Sequence, residues 1–142
     1  MRALGAERSV QLLGPATGVE VLRWMYESDI YLLPSLMEQA GHVLLEAQAT
    51  GLPVVASRVG GVPEMVREGR SALLVEPGDE AGLAASLLHL VQRRSDWPAM
   101  AHEGRRHVEE HHDVDRVTAP LEAVLEGPGA MAALSTRRHS LQ

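Results

Sequence analysis

The chain has 142 residues, a formal net charge of −6, 45% apolar and 23% charged residues, as expected of one ordinary globular domain. Its only rings besides histidine are Trp24, Tyr26, Tyr31 and Trp97; with the negative charge, this argues against stacking on single-stranded nucleic acid and against docking on an anionic membrane. Cysteine is absent, which excludes disulfides, thiolate metal sites and cysteine nucleophiles. No apolar run approaches the ~18–20 residues of a membrane span, and the N-terminus lacks the apolar core of a signal peptide. A cytoplasmic location is therefore the default expectation.

In chain order, Val10 to Leu13 is a short apolar run closed by Gly14 and Pro15, the pattern of a buried strand and a turn. Val19 to Glu27 suits a helix with Val19, Leu22, Met25 and Tyr26 along one side. Asp29 to Pro34 predicts a second strand. Gly41 to Thr50 predicts a helix stopped by Gly51 and Pro53. Pro53 to Ser57 predicts a third strand. Gly60 and Gly61 mark a turn, and Pro63 fits the first turn of another helix. Ala72 to Val75 predicts a fourth strand. Asp79 caps a helix from about Glu80 to Arg94. Two more helices are expected over Trp97 to His112 and Val114 to Leu125. Residues 1–126 form the expected domain, and residues 127–142 a flexible tail.

Strands that alternate with helices and are apolar on both faces argue for an α/β fold, a parallel sheet flanked by helices. Ligands of such sheets bind at the carboxyl ends of strands, beside helix N-termini. The loops of interest are thus 14–18, 35–42 and 57–63.

The stretch from Ser35 to Gln48 holds the most chemistry. Glu38 follows a strand, Gly41 opens a helix, and Glu46 lies within that helix among Val43, Leu44, Leu45, Ala47 and Ala49. Apolar residues in nearly every direction predict that Glu46 is buried and in need of a donor. His42 and Glu46 share a face one turn apart, and Glu46 leans toward the helix N-terminus. Free N–H groups and the dipole there favour an anion, and Gly41 allows close backbone approach. A ligand with a phosphate at the helix start and vicinal hydroxyls beside it, such as a nucleotide, fits this layout. Spacing alone leaves the bland alternative open: Glu46 paired with an Arg or Lys elsewhere, and Glu38 a solvated loop residue.

The run from Asp29 to Glu64 resembles the hallmark segment of family-4 glycosyltransferases. Two glutamates separated by seven residues (Glu38 and Glu46) are followed by Gly51, Pro53 and an apolar strand, then by Gly60, Gly61 and Glu64. Gly69 to Asp79 is similar to the family's next strand and turn. The resemblance covers about Ser9 to Leu125. It implies the C-terminal, donor-binding lobe of a GT-B fold, a Rossmann-like parallel sheet, here lacking its first strands. It also implies a retaining glycosyltransferase acting on a UDP-, GDP- or ADP-linked sugar with an unknown acceptor, and generally without bound metal or another cofactor. Carried over by position, Glu46 would accept the ribose hydroxyls. Glu38 would contact the transferred sugar and is the catalytic candidate. The N–H groups of Gly41 and His42 would face the sugar and the distal phosphates, and the turn at Pro15, Ala16 and Thr17 would lie near the base.

The sequence departs from the family pattern at Gln39, at Ala40, where a large apolar residue is usual, and at His42, which replaces an aliphatic one. The two strands carrying the family's Arg and Lys for the diphosphate are absent, and so is the acceptor lobe; Arg2 and Arg8 do not sit in that motif. In a Rossmann-like sheet those two strands lie between the third and the fourth. The strands here would be the third to the sixth. The first of them would lose its neighbour, leaving apolar edges exposed and the chain of lower stability and prone to associate.

A non-catalytic nucleotide-binding remnant, or a module acting with another chain, is the alternative from a different class. A nucleotide-sugar epimerase of related fold is a weaker one. Neither a Gly-x-Gly-x-x-Gly fingerprint nor a P-loop is present, and no serine-hydrolase element occurs. His107, His111 and His112 have spacing that could hold a metal weakly, with a solvated helix as the plainer reading.

Overall fold

The computed structural model describes residues 8–39, 41–116 and 118. The elements in order are α1 (Gly18–Glu27), β1 (Tyr31–Leu33), α2 (His42–Thr50), β2 (Val54–Ser57), a 3₁₀ turn (Val62–Met65), β3 (Ala72–Val75), α3 (Glu80–Gln92), a second 3₁₀ turn (Arg94–Asp96) and α4 (Trp97–His111). The strands form a parallel sheet in the order β1-β2-β3. Tyr31 pairs with Val54, and Val54 with Ala72.

The sheet is covered on both faces, which parallel strands require. Side chains alternate along β2: Val54 and Ala56 join Met25, Leu44, Ala47 and Leu52 on the α1–α2 side. Val55 joins Leu90 and Met100 on the α3 side. All four residues of β2 are buried, as the central position demands.

Helices α1, α2 and α3 each carry a terminal device. Thr17 and Glu20 form a reciprocal capping box at α1, satisfying two of the otherwise unpaired first-turn donors. Gly51 ends α2 in the left-handed conformation, with φ +88°, and Arg105 of α4 donates from Nε to the Ala49 carbonyl at 3.1 Å. Asp79 caps α3 through the Gly82 N–H. Gly104 of α4 lies against Gln48, and Ala101 lies beside Gly51. These contacts set α4 antiparallel to α2.

Three sequence expectations need correction. Residues 10–13 are not a strand; Val10, Leu12 and Leu13 are exposed. A strand takes its hydrogen bonds from neighbours, and among the described residues β1 pairs only with β2, leaving the 10–13 run without one. The helix expected after Pro63 is a single 3₁₀ turn, because Val66 already turns extended to feed β3. Helix α2 is not buried all round. Leu44, Ala47 and Gln48 face inward, whereas His42, Glu46 and Ala49 form an exposed stripe. Most of the helix expected to reach Leu125, and the tail at 127–142, lie outside the described residues.

Candidate donor site at the start of helix α2

The loop from β1 into α2 stands at the carboxyl edge of the sheet and carries two of the six residues singled out from sequence, Glu38 and Gly41; α2 itself carries two more, His42 and Glu46. Glu38 is half-buried and Gly41 is buried as the N-cap of α2. The Glu38 Cγ lies 3.6 Å from where a Gly41 side chain would begin. The glutamate stem is thus folded over the helix N-terminus, and any side chain at Gly41 would meet both it and Leu44. No side chain caps α2. The Leu44 N–H donates to the Gly41 carbonyl at 2.7 Å, and the His42 N–H before it has no backbone partner among the described residues.

His42 and Glu46 follow on one exposed face, a turn apart. Glu46 is therefore not a buried carboxylate in search of a donor. It is solvated, and among the described residues neither it nor Glu38 has an ion-pair partner. Tyr31 ties the two acids together: burial first, then the negative charges of Glu46 and Glu38, raise its phenol above the ordinary tyrosine value. Both carboxylates therefore act electrostatically on the same half-buried ring.

Ala16 and Thr17 lie exposed at the start of α1. The Thr17 hydroxyl donates to Glu20 at 2.8 Å and accepts from the Glu20 N–H at 3.4 Å. Its side chain is spent on the cap, which leaves backbone and surface at this turn.

Two features of the surroundings depart from the sequence reading: a buried amide that it did not single out, and a histidine group that it read as a solvated helix or a weak metal site. Gln48 is wholly buried. It donates to the Met65 carbonyl at 2.7 Å and to the Leu44 carbonyl at 3.2 Å, and accepts from the Ser71 hydroxyl at 2.8 Å. This network holds the helix that carries His42 and Glu46 against the loop before β3. A buried amide is nearly always hydrogen-bonded, but one sequence gives no way to name partners so far apart. The second feature is the histidine group on α4. The rings of His107 and His111 are centred 4.9 Å apart, and those of His107 and His112 5.2 Å. His107 is buried with both ring nitrogens unpartnered. Burial, then the charges of His112 and His111, lower its pKa, and the Glu64 backbone facing the ring offsets only part of this. The spacing of these histidines leaves weak metal binding open beside the plainer reading of a solvated helix; among the described residues no group of three or more ligating side chains is arranged to hold a metal ion.

A three-stranded parallel sheet between helices, with a helix N-terminus flanked by two acids at its carboxyl edge, defines an α/β class of domain. The comparisons narrow this. The family model "Glycosyl transferases group 1" matches residues 1–93, and the chain belongs to that family. It is 40% identical over 104 residues to the D-inositol 3-phosphate glycosyltransferase of Corynebacterium urealyticum, a match covering 73% of this chain and 24% of that protein. Anabaena HepE, solved in complex with UDP and glucose, superposes with a TM-score of 0.80 at 26% identity, over 87% of this chain and 34% of HepE. The C-terminal domain of a group 1 glycosyl transferase, LpcC of Francisella tularensis, shares the fold with a TM-score of 0.67 at 22% identity, over 80% of this chain and 58% of that one. The fold is that of the C-terminal GT-B lobe, and the chain spans only about a quarter to a third of the whole relatives it matches. Among the described residues no helix is long and apolar enough to cross a membrane.

Proposed function

We propose that this chain supplies donor-binding machinery of a retaining glycosyltransferase, holding a nucleotide-sugar across the start of α2. The observation that carries the reading is the pairing of Glu38 and Glu46 around the uncapped α2 N-terminus, both without ion-pair partners among the described residues. Glu46, one turn into the helix and open to solvent, accepts the two ribose hydroxyls. The N–H groups of Gly41 and His42 face the distal phosphates and the sugar. Glu38 accepts hydroxyls of the sugar itself, and the turn at Ala16 and Thr17 borders the base. The likeness to HepE, solved with UDP and glucose, supports a uridine or similar nucleotide.

In this arrangement the protein promotes transfer by stabilising the leaving diphosphate. Charge develops on the β-phosphate oxygen as the bond to the sugar breaks, and helix N–H donors fixed in advance meet that charge at no reorganisation cost. The acceptor is contributed from outside the described residues. A second reading, a module that works only when joined to further polypeptide, draws on the exposed apolar residues of 10–13 and of α1, where Val19 and Tyr26 are 80% and 69% exposed.

Ligand-observed NMR with UDP-, GDP- and ADP-sugars tests the proposal. One nucleotide series should bind, and Glu46→Ala should weaken it about tenfold or more, the loss expected for hydrogen bonds to a charged group. A folded chain that binds none of the three, or a Glu46→Ala variant that binds as well as the wild type, would refute it.

A further inference from the structure

We infer that Gly60 is a positioning residue for Glu38: its missing side chain is what lets the β1–α2 loop settle where Glu38 can reach a bound sugar. The inference rests on the donor-site reading and extends it to a residue in a different loop. Gly60 adopts φ +49° in the turn after β2, and a Cβ there would stand 1.7 Å from the Glu38 carbonyl oxygen and 2.9 Å from its carbonyl carbon. Both neighbours are backbone, so neither can swing aside. The adjacent Gly61 N–H donates to the Gln39 carbonyl at 3.2 Å. The Glu38–Gln39 peptide thus lies directly on the 60–61 turn, pinned by one hydrogen bond and held in van der Waals contact at the next residue.

The other loop neighbours are far more forgiving. Gly41 would meet side-chain atoms at 3.1 Å or more, and Gly78 only a Leu36 methyl at 3.9 Å. A methyl at position 60 must therefore lift the Glu38 peptide or flatten the turn. Either movement carries the Glu38 carboxylate away from the α2 N-terminus while leaving Glu46, which sits on the helix itself, where it is. Gly69 makes the matching control: it has φ +72° but nothing within 4 Å. Alanine there bears the left-handed strain without the collision.

The experiment is saturation-transfer NMR with UDP-glucose on the wild-type chain, Gly60→Ala and Gly69→Ala, beside backbone amide spectra of each. In Gly60→Ala the transfer to glucose protons relative to ribose protons should fall about fivefold, the population change for losing one ordinary hydrogen bond. The ribose signal should persist, and the Glu38 to His42 amides should shift. Gly69→Ala should match the wild type in both respects. A Gly60→Ala chain that keeps the glucose signal, loses ribose and glucose signals together, or fails to fold where Gly69→Ala folds, overturns the inference. If the wild type binds no UDP-glucose, the donor-site reading has failed. The amide spectra still decide the positioning claim, and unmoved Glu38 and His42 resonances in Gly60→Ala sink it.

Discussion

Replacing Gln48 by leucine isolates the network that seats α2. The two side chains are close in size, so little cavity is left. The Met65 carbonyl loses a 2.7 Å donor and the Ser71 hydroxyl loses its 2.8 Å acceptor. Ser71 keeps the Arg67 N–H as donor at 3.0 Å and has the Arg67 carbonyl 3.5 Å away as a poor substitute acceptor. One carbonyl abandoned in a partly buried position costs about 1–3 kcal/mol, and the weakened serine bond adds about 0.5–1 kcal/mol. Burying leucine in place of an amide returns about 1 kcal/mol. The expected net loss is about 2 kcal/mol. Urea unfolding followed by the fluorescence of Trp24 and Trp97 reads it as a midpoint lowered by about 1 M, for a slope of about 2 kcal/mol per M. Ser71→Ala should cost a similar amount, because it strands the Gln48 carbonyl oxygen. The double variant should cost less than the sum by at least about 0.5 kcal/mol, as expected of partners in one network. A midpoint unchanged in Gln48→Leu, or costs that add, would show that the amide is not bound as described.

Acid should weaken the fold through the α4 histidines. His107 and His112 have folded-state pKa values below the ordinary 6.5, so the unfolded chain protonates first. The stability present above about pH 6.5 is lost as pH falls through that value toward the depressed ones, and then levels. The groups facing His107 are His111, His112, Arg67 and the Glu64 backbone, and those acting on His112 include His42. Unfolding curves at pH 7.5 and pH 5 should differ for the wild type and differ less for His107→Leu, the remainder being carried by His112; a difference undiminished in the variant assigns it to other groups. Thr17→Ala should remove the capping box and destabilise α1 by about 1 kcal/mol, seen as faster amide exchange at Glu20 and Val21. Unchanged exchange there would mean that the cap does not hold α1.

The alternation of apolar runs with helical segments carried the architecture. Central strand β2 could be recognised from Pro53 to Ser57 because a fully buried strand must be apolar at every position, and Gly51 with Pro53 marks where α2 has to stop. The pairing of Glu38 and Glu46 with Gly41 was equally legible, since a loop acid, a glycine and a helix acid one turn beyond His42 are local in the chain. Other features depended on what each element met in space. The 10–13 run has the composition of a strand but no partner to bond. Pro63 can open a helix, yet the approach of β3 ends it after one turn. Glu46 lies among apolar neighbours in sequence, but only Leu44, Ala47 and Gln48 point at the sheet and α4, so its own face is open. Gly60 shows the division most sharply. The sequence marks a turn there; that the turn supports the Glu38 peptide from 22 residues away follows from two loops meeting at one edge of the sheet. Local composition can specify hydrogen bonding and burial along one element. Contact between elements depends on how the closed fold brings their surfaces together.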